Sequence, residues 1–254
     1  MTQTVSRPAQ SQTIALSRSF DVYYRDAERT QRMDRLNAQF VQPGSLAFDI
    51  GAHIGDRAGS FLRLGASVVV VEPQPRAFRA LRLLYGRTDE VTLECAAVGA
   101  APGTLDLFVN SDNPTITTAS PDLIEAARGS AQWHGQVWDR KINVPVTTLD
   151  QLIARHGVPD FVKIDVEGFE ADVLEGLTMP LPTLSFEFTT IQRDVASRCI
   201  DRLNALGDYM FNFSLGEEHA LIYDDWIGAD TLHCDLMRLP ARANSGDIFV
   251  RRKY

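Results

Sequence analysis

The chain has 254 residues, of which 44% are hydrophobic and 23% are charged. This is the composition of a globular protein, and it excludes collagen-like, coiled-coil and long disordered chains. There are 25 basic and 33 acidic residues, which gives a formal net charge of −8. Because lysine and arginine supply most of a protein's affinity for phosphate backbones, we do not expect nucleic acid to be a main partner.

The cysteines and the first residues of the chain bear on its location. Cys95, Cys199 and Cys234 are far apart, without a CxxC pair or a Cys/His cluster of zinc-binding spacing. Residues 1–20 lack the apolar core of a signal peptide, and no apolar run approaches the roughly 20 residues that span a bilayer. We therefore expect reduced thiols in a cytoplasmic protein without a membrane partner, either as a monomer or as a homo-oligomer.

Predicted strands and helices alternate along most of the chain. Residues 1–44 read as an N-terminal arm followed by a helix over residues 21–40. Strands are predicted at residues 45–50, 67–71, 91–98, 103–109, 142–146, 160–164, 184–188, 209–214, 220–223 and 248–251, the fourth forming a hairpin with the third. Helices are predicted at residues 56–64, 75–85, 148–156, 170–177 and 194–206. This alternation predicts an α/β fold with a mostly parallel twisted sheet and helices on both faces. Because no helix separates the last two strands, we expect an antiparallel edge.

Residues 110–140 interrupt this alternation. The segment is long and polar, with Trp133 and Trp138 set among polar residues. Long loops in compact domains are usually functional lids or are disordered. We expect this one to be a lid over a substrate site, where each tryptophan could stack on a ligand ring or anchor the loop. Neither a repeat nor a linker divides the remainder, so residues 45–254 are predicted to form one domain.

A glycine turn follows the first predicted strand, at the edge where open α/β sheets bind ligands. Gly51 lets the backbone turn sharply and approach a ligand, and Gly55 lets the next helix pack closely. The spacing is GxxxG, so the GxGxxG fingerprint of dinucleotide sites is absent. Asp49 places a carboxylate at the mouth of the crevice, which suits an ammonium or sulfonium group better than a pyrophosphate.

Glu72 follows the second predicted strand, 21 residues after Gly51. An acidic side chain at this place can accept hydrogen bonds from both hydroxyls of a ribose. Together with Asp49 and the glycine turn, it describes a site for a cationic nucleoside, and S-adenosylmethionine fits that description. The alternative is that the glycines only cap a strand and a helix, and that Glu72 is a solvated acid at a helix start.

Several segments resemble those of the FkbM family of S-adenosylmethionine-dependent methyltransferases. They are FDIGAHIG, VVVEPQP, AAVG, TLDQL and, most specifically, PDFVKIDVEGFEADVLEGL. The resemblance covers about residues 46–187. It implies a Rossmann-like class I methyltransferase fold and O-methylation of a sugar, a polyketide or another secondary metabolite. It also implies that Ala52, Pro73 and Ala97 line the cofactor site. The chain departs from the family's D-x-G-A-N-x-G turn at His53, where the family usually has asparagine, and this residue is also predicted to line the site.

Acidic residues follow two later strands as well. Asp165 and Glu167 come at the end of the strand over residues 160–164, and Glu187 ends the next one. An alcohol acceptor benefits from a general base or from a metal ion that lowers its pKa. Paired carboxylates suit both tasks, because hard oxygen ligands hold Mg²⁺ or another divalent cation. We predict that Asp165 is the base or a metal ligand, assisted by Glu167, with Glu187 as a third candidate.

Competing roles exist for these residues. Glu167 and Glu170 could instead start the following helix, where acids offset the helix dipole, and Lys163 could simply be the ion-pair partner of Asp165. His53 is a further candidate base, although a histidine at a helix start is more often structural. Two other functions are open at this point. One is a nicotinamide-dependent oxidoreductase, which the missing third glycine and Asp49 disfavour, and the other is a non-catalytic nucleoside-binding protein of the same fold.

Overall fold

The computed structural model describes residue 21 and residues 25–253, which build a seven-stranded sheet and a smaller three-stranded sheet. The N-terminal arm predicted for residues 1–19 lies outside the described residues. In chain order, the helices are α1 (Ala27–Asn37), α2 (Asp56–Arg63), α3 (Pro75–Tyr85), α4 (Pro121–Arg128), α5 (Leu149–His156), α6 (Glu170–Glu175), α7 (Arg193–Leu206) and α8 (Ala229–Arg238). The strands are β1 (Leu46–Ile50), β2 (Ser67–Val71), β3 (Val91–Glu94), β4 (Ala97–Val98), β5 (Gly103–Val109), β6 (Arg140–Thr147), β7 (Phe161–Ile164), β8 (Thr183–Thr189), β9 (Tyr209–Leu215) and β10 (Ser245–Arg252).

The large sheet has the strand order β3-β2-β1-β7-β8-β10-β9. Its first five strands are parallel to one another, whereas β10 runs antiparallel to both β8 and β9. The predicted α/β fold with a mostly parallel sheet is therefore confirmed. The antiparallel strand belongs to the edge region, as predicted, and it is second from the edge, inside β9.

The central strands are buried on both faces, as expected for a parallel sheet between two layers of helices. Residues 68–71 of β2 are all buried, and alternate residues face opposite sides. Val69 and Val71 join a core with residues of α5 to α8, whereas Val68 and Val70 join a core with residues of α1 to α3. Helices on both faces are thus confirmed. Within the described part of the chain, no helix is both long and apolar enough to cross a membrane.

The single strand predicted over residues 91–98 is wrong. β3 ends at Glu94 in the large sheet, and β4 belongs to the small sheet, whose order is β4-β6-β5. The predicted hairpin is also wrong, because β5 pairs antiparallel with β6. These two strands are separated by the whole of residues 110–139, so no local turn signal reveals their pairing.

The end of the chain also differs from the prediction. Residues 220–223 do not form a strand, and α8 precedes β10 where no helix was predicted. Near the start, Asp21 is helical as predicted, but residues 25 and 26 are not, and α1 begins at Ala27, where the Asp26 side chain caps it by accepting a hydrogen bond from the Arg29 backbone N–H. Residues 110–140 contain α4 and two 3₁₀ turns, so this segment is folded over much of its length.

The ends of β1 and β7 come into backbone contact at Gly51. The Asp165 N–H donates to the Ile50 carbonyl at 2.9 Å. A Cβ atom at Gly51 would lie 1.8 Å from the Asp165 carbonyl oxygen, and Gly51 has a φ of +81°. Glycine is therefore required here both by the backbone conformation and by the lack of space.

We expect Gly51→Ala to lower the free energy of unfolding by about 4 kcal/mol or more, since it combines a left-handed φ with a backbone clash. Gly44→Ala is the matched control, because Gly44 has a φ of +87° but nothing within 4 Å of the added Cβ. The control should lose only about 1–2 kcal/mol. Urea unfolding measures both values, and equal losses would contradict the close approach of β1 and β7.

Candidate active site

An apolar cleft opens at the carboxyl ends of β1, β2 and β7. We call it the apolar cleft. Its lining includes Val71, Pro73, Ala97, Leu107 and Phe169. The space between these residues, including the part that is open to solvent, is about 530 Å³.

Glu72 lines the apolar cleft and is only 2% exposed. Its Oε2 accepts a hydrogen bond from the His53 N–H at 2.8 Å, and its Oε1 accepts one from the Gln74 N–H at 2.7 Å. Burial raises the pKa of Glu72 to about 7, against the effect of these two donors. The interpretation of Glu72 as a solvated acid is therefore wrong. Each carboxylate oxygen also keeps capacity for a second hydrogen bond.

A second cleft shares part of its lining with the first, including Gly51 and His53, and it is lined largely by charged residues. We call it the ionic cleft; its lining includes Asp49, Ala52, Asp56, Arg57 and Glu217. Neither Arg57 nor Glu217 was singled out from the sequence, and no local motif marks them. Arg57 Nη1 lies 3.1 Å from Asp56 Oδ2, and its Nη2 lies 3.4 Å from Glu217 Oε2.

Asp49 lies beneath the glycine turn, not at the mouth of the crevice where the sequence placed it. It is 1% exposed, and its Oδ2 accepts a hydrogen bond from the Ala58 N–H at 3.0 Å in the first turn of α2. Burial and the nearby Asp56 raise the pKa of Asp49 to about 7. The carboxylate therefore helps to fix the start of α2 as well as lining the ionic cleft.

His53 and Gly55 occupy different parts of the turn. His53 lines both clefts, has a φ of +48°, and has its pKa lowered by burial to about 4, although Asp56 opposes this shift. Its imidazole is therefore neutral near pH 7. Gly55 lines neither cleft, and a Cβ atom there would lie 2.7 Å from both Leu81 and Tyr85. The sequence predicted close packing of the next helix, α2, whereas the helix that packs closely against this glycine is α3.

Three carboxylates come together where β7 and β8 end. Oxygens of Asp165, Glu167 and Glu187 all lie within 4.8 Å of one another. Burial raises the pKa of both Glu167 and Glu187 well above the usual range, and the neighbouring carboxylates add to this effect. The sequence thus predicted correctly which acids meet at this edge.

Lys163 carries the positive charge next to this cluster. It is 2% exposed, lies 3.3 Å from Asp165 Oδ2 and is also ion-paired with Asp247. Burial opposes its charge, but Asp165 and Asp247 raise the pKa of Lys163. Lys163 is therefore a partner of Asp165, as predicted, and it is shared with Asp247, which the sequence did not reveal.

Of Glu167 and Glu170, only Glu170 starts the following helix. α6 begins at Glu170, whose Oε1 accepts hydrogen bonds from the N–H groups of Val166 and Gly168 at 3.1 and 3.2 Å. Glu167 lies before the helix with a φ of +56°. Non-glycine residues in this conformation are strained and often occur at functional sites.

A third cleft lies between residues 110–140 and the ends of β8 and β10. We call it the Trp133 cleft; it is lined by Asn113, Ile116, Gln132, Trp133, Gln136, Glu167, Glu187, Thr189, Asn244 and Ser245. Trp133 lies parallel to Trp138 with 6.4 Å between the ring centroids. Trp138 Nε1 donates to the Ile116 carbonyl at 2.8 Å, so Trp138 anchors the segment while Trp133 faces the cleft.

The three clefts converge on the carboxylates. Glu167 lines all of them, and Asp165 lines both the apolar and the ionic cleft. Residues 110–140 are fixed to this point, because Thr118 Oγ1 donates to the Glu167 carbonyl at 2.6 Å. A ligand in the apolar cleft and a ligand in the Trp133 cleft would therefore meet beside Asp165 and Glu167.

The donor set of the apolar cleft fits a nucleoside. Its walls are apolar, Glu72 has free acceptor capacity, and the buried Thr117 Oγ1 has no hydrogen-bond partner among the described residues. With the strand order of the large sheet and the glycine turn after β1, these features define a class I methyltransferase that uses S-adenosylmethionine.

Comparison with known proteins gives the family. The family model of the methyltransferase FkbM domain matches residues 49–207, so the chain belongs to the FkbM methyltransferase family. The alternatives of an oxidoreductase and of a non-catalytic nucleoside-binding protein are therefore set aside. The family assignment agrees with the resemblance seen in the sequence.

Two relatives and one solved structure illustrate the similarity. The chain is 27% identical over 184 residues to hexuronic acid methyltransferase AglP of Haloferax volcanii, covering 70% of this chain and 69% of AglP. It is 26% identical over 154 residues to 2-O-methyltransferase NoeI of Sinorhizobium fredii, covering 58% of this chain and 63% of NoeI. A TehB-like SAM-dependent methyltransferase structure from Corynebacterium glutamicum is 12% identical, with a TM-score of 0.48 over 97% of this chain and 100% of that one.

The raised pKa of Glu72 predicts an unusual pH dependence of stability. The folded protein keeps this proton up to about pH 7, whereas an ordinary glutamate in the unfolded chain loses it near 4.5. The folded state therefore binds more protons between these values, and the Glu72 contribution to the free energy of unfolding falls as the pH rises through this window. The total fall is on the order of 3 kcal/mol.

Glu72→Gln tests this prediction by urea unfolding from about pH 5 to about pH 7. The wild-type free energy of unfolding should fall more steeply with pH than that of the variant. The amide also changes the contacts with the His53 and Gln74 N–H groups, but that loss does not depend on pH. Parallel curves for the two proteins would contradict the raised pKa.

Proposed function

We propose that this methyltransferase transfers the methyl group of S-adenosylmethionine to a hydroxyl oxygen of a small molecule. The convergence of the three clefts on Glu167, with Asp165 lining two of them, carries the proposal, because a hydroxyl acceptor needs a proton acceptor beside the transferred methyl group. The names of AglP and NoeI, a hexuronic acid methyltransferase and a 2-O-methyltransferase, agree with an oxygen acceptor.

The cofactor would lie across the apolar and ionic clefts. In this proposal the apolar cleft encloses the adenine ring, Glu72 accepts hydrogen bonds from the ribose hydroxyls, and the glycine turn bounds the methionine portion. The residues proposed to line the bound cofactor are Asp49, Gly51, Ala52, His53, Glu72, Pro73 and Ala97. Gly55 was predicted to belong to this set, but its position favours a packing role.

Asp165 is the proposed general base. When bound, S-adenosylmethionine supplies a methyl group on a positively charged sulfur. Asp165 would take the proton of the acceptor hydroxyl on a carboxylate oxygen, while Lys163 fixes the side chain through the contact with Oδ2 at 3.3 Å. Glu167, which borders all three clefts, would orient the hydroxyl. The neutral His53 faces the same space and is the second candidate for accepting the proton.

A divalent cation such as Mg²⁺ is an alternative means of activating the hydroxyl. The close approach of Asp165, Glu167 and Glu187 favours this candidate, since it offers three carboxylates to one ion. A bound cation would lower the pKa of the acceptor hydroxyl directly, so Asp165 would then act as a ligand and not as the base.

We further propose a cytoplasmic location, a homo-oligomeric state and a boundary between the N-terminal segment and the methyltransferase domain at residue 44. Cys95, Cys199 and Cys234 are free thiols in the structure. Across the boundary, α1 is joined to α2 by a buried hydrogen bond of 2.9 Å between Asn37 Nδ2 and Ser60 Oγ.

Glu72→Ala should weaken S-adenosylmethionine binding at least tenfold, because both ribose hydroxyls lose their acceptor. Isothermal titration calorimetry measures the effect. Glu90→Ala is the control, since Glu90 is exposed and offers only its backbone carbonyl to the sheet. Unchanged binding in a folded Glu72→Ala protein would refute the ribose assignment.

Asp165→Asn should retain cofactor binding and lose turnover by a factor of about 100 or more, as expected for the loss of a general base. Asp172→Asn is the control, because it removes an ion-paired carboxylate outside the three clefts. Transfer of labelled methyl groups is measured with EDTA and with Mg²⁺. Activity of the wild type in EDTA supports the base, activity only with Mg²⁺ supports the metal, and a fully active Asp165→Asn protein refutes both roles.

A further inference from the structure

The Trp133 cleft contains buried polar atoms that have no hydrogen-bond partner among the described residues. They are Nε1 of Trp133, Oγ1 of Thr189 and Oε2 of Glu187. Trp133 and Thr189 are only 8% and 5% exposed. Unpaired buried polar groups are costly and rare in native proteins, so their grouping in one cleft marks a place where a ligand completes the hydrogen bonds.

The hydrogen-bonding capacity of these three groups indicates which kind of ligand can bind. The indole N–H of Trp133 can only donate, the free Glu187 oxygen can accept, and the Thr189 hydroxyl can do both. Neighbouring hydroxyl groups also donate and accept, so a polyhydroxylated ligand can satisfy all three. The amides of Asn113 and Asn244 add polar groups to the same lining.

The charge of the cleft limits the ligand further. Its lining contains Glu167 and Glu187 but neither lysine nor arginine, and Asp165 approaches both glutamates within 4.8 Å. Lys163, which lies next to the cluster, is already ion-paired with Asp165 and Asp247. A ligand carboxylate would therefore enter a partly buried cluster of carboxyl groups with no lysine or arginine in the lining to pair with it, and screening by salt is weak there.

We propose that the Trp133 cleft is the acceptor subsite and that it selects a polyhydroxylated acceptor without a carboxylate group. This inference rests on the proposed O-methyltransferase function and narrows its acceptor class. It separates this chain from AglP, whose name specifies a hexuronic acid. Glu187 and Thr189 act here as specificity-determining residues, Glu187 through its place in the carboxyl cluster and Thr189 by hydrogen bonding.

Matched pairs of glycosides test the selection. The probes are the methyl glycosides of glucose, galactose and mannose, each compared with its uronate, which differs only at C6. Binding to the full chain loaded with S-adenosylhomocysteine is followed by calorimetry, in EDTA and again with Mg²⁺. At least one neutral glycoside should bind, and at least tenfold more tightly than its uronate. Binding of none of the probes, or a uronate that binds as tightly as its neutral partner in either buffer, would overturn the proposal.

Variants assign the selection to the cleft. Glu187→Gln should reduce the preference for the neutral glycoside at least fivefold, whereas Glu175→Gln, on the exposed side of α6, should leave it unchanged. Thr189→Val should weaken neutral glycoside binding without changing that preference. A preference that persists in a folded Glu187→Gln protein would refute the role of its carboxyl group, and full binding by Thr189→Val would refute the hydrogen-bonding role of Thr189.

Titration of the same samples with S-adenosylmethionine separates this inference from the proposed function. Cofactor binding without glycoside selection would overturn the acceptor subsite alone. Failure to bind the cofactor would overturn the proposed function itself.

Discussion

The backbone contact between Gly51 and Asp165 is the constraint on which the rest of the site depends. It brings the ends of β1 and β7 so close that a single added carbon at Gly51 would overlap the Asp165 carbonyl. The turn is also held to β2, because the N–H groups of Gly51 and Ala52 both donate to the Val71 carbonyl. Glu72 then closes this arrangement through the His53 N–H. Three strand ends are thus fixed by short backbone distances, and the cofactor residues and the carboxylates face one space as a consequence.

Buried carboxyl groups are the second property of this edge of the sheet. Burial raises the pKa of Asp49, Glu72 and Glu167, and a cation in direct contact with the cluster, Lys163, is shared between Asp165 and Asp247. Keeping so many carboxylates out of water costs stability in the free protein. A cationic cofactor and an acceptor hydroxyl that gives up a proton are the ligands that such a site accommodates. Several of the 33 acidic residues are therefore buried at the cleft edge of the sheet and do not lie on the outer surface.

The sequence predicted the parts of the molecule that local patterns encode. The apolar run of β2, the glycine turn and the acids at successive strand ends were located correctly, because strand ends and tight turns leave signals within a few residues. The pairing of β5 with β6 was missed, since it depends on contact across the 110–140 segment. Thr189 was missed although it lies two residues after Glu187 on the same strand, a spacing that places both side chains on one face. Glu217 and Asp247 reach the site only through the fold, and no pattern near them indicates it.

The burial of Asp49 shows a different limit. Its position after an apolar strand suggested a carboxylate facing the ligand, but the carboxylate accepts a hydrogen bond from the Ala58 N–H inside the first turn of α2. One side chain therefore fixes the helix and lines the ionic cleft, a double role that residue type and spacing alone do not distinguish. By contrast, the family resemblance, carried mainly by the segment around Asp165, was confirmed by the match over residues 49–207.

A crystal structure of the full chain with S-adenosylhomocysteine tests the central claim, that the three clefts converge on one point of methyl transfer. We expect the adenine ring to lie between Leu107 and Phe169, and both ribose hydroxyls to donate hydrogen bonds to Glu72. We expect the sulfur to be directed toward Asp165 and Glu167. A nucleoside bound outside the apolar cleft, or a sulfur directed away from these two carboxylates, would contradict it.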